Sequence, residues 1–142
     1  MEEYPWLAIA RNEMGESEVP GKKASPRIVE YLESTTLGTP DNQSDETPWC
    51  STFVNWCVTQ AGFKGTNSAW ARSWLNWGVE ADWNNLIPGA IVVLQRGANS
   101  GHVGFFITSE DETVTLLGGN QNDQVCEAQF AQSRILGIRV PA

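Results

Sequence analysis

The sequence predicts an α+β domain in which helices from the N-terminal half pack on an antiparallel sheet from the C-terminal half. Three observations carry that expectation. Apolar residues recur at helical spacing as far as Gly78, short β-branched runs bounded by turn residues take over from Pro88, and 142 residues are the length of one ordinary domain. The whole chain, residues 1–142, is therefore read as one unit.

The first helix is expected over Pro5 to Gly15, where Trp6, Leu7, Ile9, Ala10 and Met14 share helical spacing between an opening proline and a closing glycine. Pro26 opens a second, with Ile28, Val29, Tyr31 and Leu32, ended by Ser34-Thr35-Thr36 and Gly38-Thr39-Pro40. Thr39 to Thr47 reads as loop. Thr47 or Asp45 can cap a third helix, Pro48 suits its first turn, and Phe53, Val54, Cys57, Val58 and Ala61 form its stripe up to Gly62. Asp45 and Glu46 are read as stabilised by that helix start rather than as binders of a substrate amine. A fourth helix is expected over Ser68 to Gly78, with Trp70, Trp74 and Trp77 on one face. That face reads first as core packing and second as a stacking platform. Strands follow at Gly89–Leu94, Val103–Thr108, Val114–Leu117 and Ile135–Val140, the middle two joined by the acidic turn Glu110-Asp111-Glu112.

Composition excludes several function classes. Seventeen Asp and Glu against nine Lys and Arg give a formal charge of −8, which repels nucleic-acid backbones and anionic lipid surfaces. The longest aliphatic run, Ala90 to Leu94, is far short of the roughly 20 residues of a membrane helix. The start, Met1-Glu2-Glu3-Tyr4-Pro5, lacks the basic and apolar segments of a secretory signal, so synthesis in the cytoplasm is expected. Three cysteines, Cys50, Cys57 and Cys126, contain no CxxC pair, which predicts free thiols rather than a disulfide framework. One histidine, His102, is too few for a zinc site built on several imidazoles, and the thiol mechanism expected here needs no metal and no cofactor.

That leaves thiol chemistry. Cys50 is placed about three residues into the third helix, where unpaired backbone N–H groups and the positive dipole end favour a thiolate. It shares a helical phase with Phe53, Val54 and Cys57 and so faces the sheet. His102, at the opening of a strand, is the one imidazole able to act as its base. Cys57 and Cys126 read as inert, the first buried and the second in a polar loop. The imidazole needs a third group to hold it, and Gly118-Gly119-Asn120-Gln121-Asn122-Asp123 supplies amides at the end of the hairpin. Asn120 is the first choice, Asn122 on the same strand face is the second, and Gln121 is expected to point to the opposite face.

With these residues placed, Asp45-Glu46-Thr47-Pro48-Trp49-Cys50-Ser51-Thr52-Phe53-Val54-Asn55-Trp56 resembles the nucleophile segment of the CHAP superfamily of cysteine, histidine-dependent amidohydrolases and peptidases. Ile87-Pro88-Gly89-Ala90-Ile91-Val92-Val93 and Gly101-His102-Val103-Gly104-Phe105 resemble its first strand and its histidine strand. The resemblance implies a papain-like minimal fold shared with NlpC-type peptidases, and cleavage of an amide in peptidoglycan. That amide is either the one between muramic acid and L-alanine or one in the stem or cross-link peptide. It assigns Cys50 as nucleophile, His102 as base and Asn120 as third residue, although many members carry a glutamate followed two residues later by asparagine where this chain has Asn120 and Asn122. For the oxyanion, the Cys50 N–H would be joined by the side chain of Gln43 or Asn122. Trp49 reads either as a cleft wall or as a staple at the helix entry.

An acidic domain gains no attraction to an anionic envelope, so a delivery protein, or a wall-binding domain on another chain, is expected to bring it to the periplasm or wall. An antibacterial effector of this type would also imply an immunity protein. Two other readings stand beside the hydrolase: a non-catalytic wall-binding or interaction module, and a thiol-dependent amide transferase that passes its thioester to an amine.

Overall fold

The computed structural model describes residues 3–16, 26–34, 49–68, 70–96, 101–121 and 124–142. Its α-helices come first: α1 (Pro5–Asn12), α2 (Pro26–Glu33) and α3 (Cys50–Gln60). The strands are β1 (Val79–Glu80), β2 (Ile91–Gln95), β3 (Gly101–Glu110), β4 (Thr113–Gln121), β5 (Gln124–Ala131) and β6 (Ile135–Val140). They form one sheet in the order β1-β6-β2-β3-β4-β5, with each neighbouring pair antiparallel.

The period-two rule sorts the sheet residues between two apolar clusters. Ile91, Val93, Val103, Phe105 and Leu117 join Trp6, Leu7, Ile28, Tyr31, Phe53 and Val54 of the helices, whereas Val92, Leu94, Phe106, Val114, Leu116 and Ile138 pack together in a second cluster. Ile91 to Leu94 is apolar without interruption because β2 is buried on both faces.

α3 is the buried axis of the helical layer, with every residue from Cys50 to Val58 out of solvent. Polar groups survive there only because they are hydrogen-bonded. Asn55 Nδ2 donates to the Ser34 carbonyl at 3.0 Å, and Asn55 Oδ1 accepts from the Asn67 N–H at 3.0 Å. Ser51 Oγ donates to the Ser68 carbonyl at 2.6 Å and accepts from Trp74 Nε1 at 2.9 Å. These contacts fix the rotation of α3 and hence the direction of Cys50. α1 is tied to the entry of β2 by Trp6 Nε1 donating to the Gly89 carbonyl at 2.7 Å.

Four expectations are corrected. α3 begins at Cys50 with Trp49 as its N-cap, so the cysteine is the first helical residue rather than the third or fourth. The expected caps Asp45, Glu46 and Thr47 lie outside the described residues. The fourth helix is a 3₁₀ segment, Ala71–Asn76, because the Trp70 N–H is taken by Ser68 Oγ and Trp70 stays extended, delaying the start. Its tight pitch sets Trp74 edge-to-face with Trp77 at 5.4 Å but leaves Trp70 56% exposed, so the three indoles do not share one face. Finally, the segment around Cys126 is not a loop but the edge strand β5, whose alternation is hidden by polar residues such as Gln129 on its outer positions.

Gly119 on β4 lies directly against the helical layer: an added Cβ would lie 2.6 Å from the Trp49 ring and 2.8 Å from Phe53 Cβ. Gly119→Ala is therefore expected to overpack the α3–β4 contact and lower stability by about 1–3 kcal/mol, read as a fall in the urea midpoint with unchanged slope.

Candidate active site

The N-terminus of α3 abuts the beginning of β3, and the structure brings Cys50 and His102 together there. Cys50 is 4% exposed and His102 3%. The cysteine opens the helix, so its own backbone N–H is among the first four that have no intrahelical acceptor. Its sulfur stands near the Val103 backbone N–H and the His102 ring, both of which favour its thiolate form. His102, the second residue of β3, is held in register opposite Leu94 of β2.

The ring's orientation and tautomer follow from Gln121. Gln121 Oε1 lies 2.9 Å from His102 Nε2. Its amide Nε2 donates to two backbone carbonyls, Cys126 at 2.6 Å and Leu116 at 3.2 Å. Carbonyls only accept, so the NH₂ end of the amide must face them and the oxygen must face the ring. The imidazole must then carry a proton on Nε2 and donate it to Gln121. That leaves Nδ1 as the basic nitrogen of the neutral ring and the atom available to the thiol. Nδ1 is buried and has no well-aligned hydrogen bond, so the sulfur is within reach of the ring without an aligned S–H···N bond.

Burial alone would raise the Cys50 pKa. The hydrogen-bonding and charge of His102 outweigh it, assisted by the Val103 N–H and the Arg96 charge, and the thiol titrates below its usual range. Burial likewise acts to lower the His102 pKa, but the Cys50 partner and then Gln121 overcome it and the ring titrates above its ordinary value. The two shifts are coupled, and both favour the thiolate–imidazolium form over the neutral pair. Burial, with a small contribution from the Glu13 charge, pushes the Cys57 thiol well up, the opposite direction from Cys50 on the same helix.

Strand alternation alone misplaced Gln121. Between the pairs Gly118↔Cys126 and Gln121↔Gln124, β4 advances three residues while β5 advances two. The extra residue is a β-bulge, and it moves Gln121 to the side on which plain alternation would put Asn120. The signal was in the sequence: paired glycines inside a strand mark a bulge or a close approach. Gly118 also clears the path, since a Cβ there would sit 2.7 Å from Gln121 Oε1. The side chain of Asn120, and Asn122 and Gln43 entirely, lie outside the described residues. Trp49 is fully buried and stacks on Tyr31 at 5.8 Å, so it staples the helix entry and walls no cleft. Among the described residues no cluster of three or more His, Cys, Asp or Glu side chains could hold a metal ion.

Iodoacetamide should label Cys50 ahead of Cys57 at neutral pH, with the midpoint of the Cys50 rate profile below the roughly 8.5 of an ordinary thiol. His102→Ala should move that midpoint upward, because the strongest opposition to burial is then lost and only the Val103 N–H and the Arg96 charge remain; mass-mapped labelling across pH reads both effects.

A profile of the CHAP domain matches residues 42–120, which contain both Cys50 and His102. No curated protein matches the chain significantly. Among solved structures, a Staphylococcus aureus subsp. aureus Mu50 protein described as similar to a lipoprotein of the NLP/P60 family superposes with a TM-score of 0.50 at 14% identity. The match covers 89% of this chain and 45% of that one, so the chain spans about half of its structural neighbour. At that identity the likeness concerns the fold, which is the papain-like α+β arrangement of NlpC-type proteins. With the matched profile spanning more than half of the sequence and enclosing the Cys50–His102 pair, the chain belongs to the CHAP domain family, whose members are peptidoglycan-hydrolase-type amidohydrolases and peptidases.

Proposed function

We propose that this chain is a cysteine-dependent hydrolase of an amide bond in peptidoglycan, with Cys50 as nucleophile, His102 as acid and base, and Gln121 as the residue that positions the ring. The observation that carries this reading is the locked Gln121 amide, which dictates an Nε2–H imidazole and leaves Nδ1 for the thiol.

The Cys50 thiolate attacks the amide carbonyl carbon, and the developing oxyanion is met by the Cys50 backbone N–H at the start of α3. The C–N bond breaks as Nδ1 of the imidazolium gives its proton to the leaving amine, forming a thioester and a neutral ring. Nδ1 then takes a proton from water, the resulting hydroxide adds to the thioester carbon, and C–S cleavage releases the carboxyl product and restores the thiolate–imidazolium pair. No step requires a group beyond water and substrate. The bond is either the N-acetylmuramoyl-L-alanine amide or one in the stem or cross-link peptide. The formal charge of −8 favours delivery to the periplasm or wall by another protein rather than electrostatic capture.

Incubation with purified sacculi should release fragments with new amine and carboxyl ends, whose masses identify the bond, and Cys50→Ala should abolish release. Intact sacculi that merely retain the protein would leave a wall-binding module instead; adducts with added amines would mark a transferase. Gln121→Leu should lower kcat/KM about 10- to 100-fold, the worth of a hydrogen bond to a charged partner. The rate should be bell-shaped in pH. Its acidic limb, where the thiol gains its proton, should lie below the usual thiol range, and its alkaline limb, where imidazolium is lost, above the usual histidine value. Gln121→Glu adds a charge that favours imidazolium and should move the alkaline limb further up.

A further inference from the structure

Beside His102, on the side occupied by Gln121, lies a cavity of about 280 Å³ lined by Arg96, His102, Gln121, Gln129, Phe130 and Arg134. The chain has nine basic residues against seventeen acidic ones, yet two of the nine line this cavity and, among the described residues, no carboxylate does. The ion pairs formed among the described residues are Arg11–Glu3, Arg27–Glu13 and Arg27–Glu30, so neither Arg96 nor Arg134 is matched by a carboxylate there. This local reversal of sign stands next to the reacting groups.

The geometry favours one kind of anion. Arg134 Nε donates to the Gln95 carbonyl at 3.0 Å, and its guanidinium carbon lies 5.4 Å from the centre of the Phe130 ring. The plane of the guanidinium is thereby set while, among the described residues, neither terminal nitrogen donates to a protein acceptor, leaving the fork that pairs with the two oxygens of a carboxylate. The Phe130 ring continues to the imidazole, 5.2 Å from the His102 ring, giving an apolar floor for the carbon atoms that would carry the carboxylate. Arg96 follows β2 and Arg134 precedes β6, and these strands pair with Leu94 opposite Ile135, so the sheet holds both arginines at one end. The charge of Arg96 acts on both Cys50 and His102, which places it in the field of the reacting pair.

We infer that this cavity is a subsite for a free carboxylate on the peptide substrate, bound by Arg134 and Arg96 next to the amide that Cys50 attacks. The inference rests on the hydrolase reading and adds a substrate class to it: peptides with an acidic or C-terminal residue adjoining the cleaved bond, over their amidated counterparts.

The test uses stem-peptide fragments with one cleavable amide and either a carboxylate or a carboxamide on the adjoining residue, the side-chain and terminal carboxylates being amidated separately to show which is read. The wild-type protein should cleave the carboxylate form at least about tenfold better in kcat/KM, and the preference should fall steeply with added salt. In Arg96→Gln/Arg134→Gln it should shrink to within about twofold, and Arg134→Lys, which keeps the charge without the fork, should retain only part of it. Calorimetric titration of the same peptides into Cys50→Ala measures selectivity without turnover. Equal cleavage of the two forms by the wild-type protein, or a preference that survives loss of both arginines, overturns the subsite and leaves the hydrolase reading standing. Selective binding without cleavage overturns the hydrolase reading and leaves the carboxylate site standing. Neither cleavage nor selective binding overturns both.

Discussion

Gln121 turns one histidine into a directed base. A side-chain amide has distinct donor and acceptor ends, and two backbone carbonyls claim the donor end, so the ring is met by an acceptor alone. Only an imidazole protonated on Nε2 satisfies that acceptor, and the choice exposes Nδ1 to Cys50. A carboxylate would hold the ring as well and would add charge. The neutral amide positions the imidazole while leaving its protonation to be governed chiefly by the sulfur, consistent with Cys50 ranking above Gln121 among the influences that raise the His102 pKa.

The rest of the molecule serves to bring two buried groups into register. Cys50 owes its place to a helix whose polar residues, Ser51 and Asn55, are hydrogen-bonded to neighbouring segments, so α3 cannot rotate without leaving buried groups unpaired. His102 owes its place to β3, anchored by β2 on one side and β4 on the other. A buried thiolate–imidazolium pair is costly to desolvate and is tolerated where each charge is stabilised by the other and by nearby donors, here the Val103 N–H close to the sulfur.

Much of this was legible in the sequence, and the limits have physical causes. The order of helices and strands followed from periodicity, and Cys50 and His102 stood out because the chain has one histidine and its first cysteine opens an apolar helix. The Ser68–Gly78 segment has a helical pattern, but a local Ser68–Trp70 hydrogen bond competes with the first turn. β5 was missed because an edge strand leaves alternate residues in solvent, and Gln124, Glu127 and Gln129 hide its pattern. Gln121 was set aside because alternation was counted through a bulge that shifts the register by one. The Arg96 and Arg134 pair was invisible, since 38 positions separate residues that only the β2–β6 pairing unites.

The carbonyls that orient Gln121 have a consequence of their own. The shorter of the two bonds reaches Cys126 on β5, the outermost strand of the sheet, whose far side is tied among the described residues by the backbone bonds of Val125 with Gly15 and Glu16 rather than by a further strand. Edge strands fray at lower free energy than central ones. If β5 peels away, the glutamine loses one of the two acceptors that fix which end of its amide meets the imidazole, although β2, β3 and the helical core stay folded. Warming would then silence the chemistry before it melts the domain, and the inactivation temperature would track the exchange protection of amides on β5 rather than that of the core.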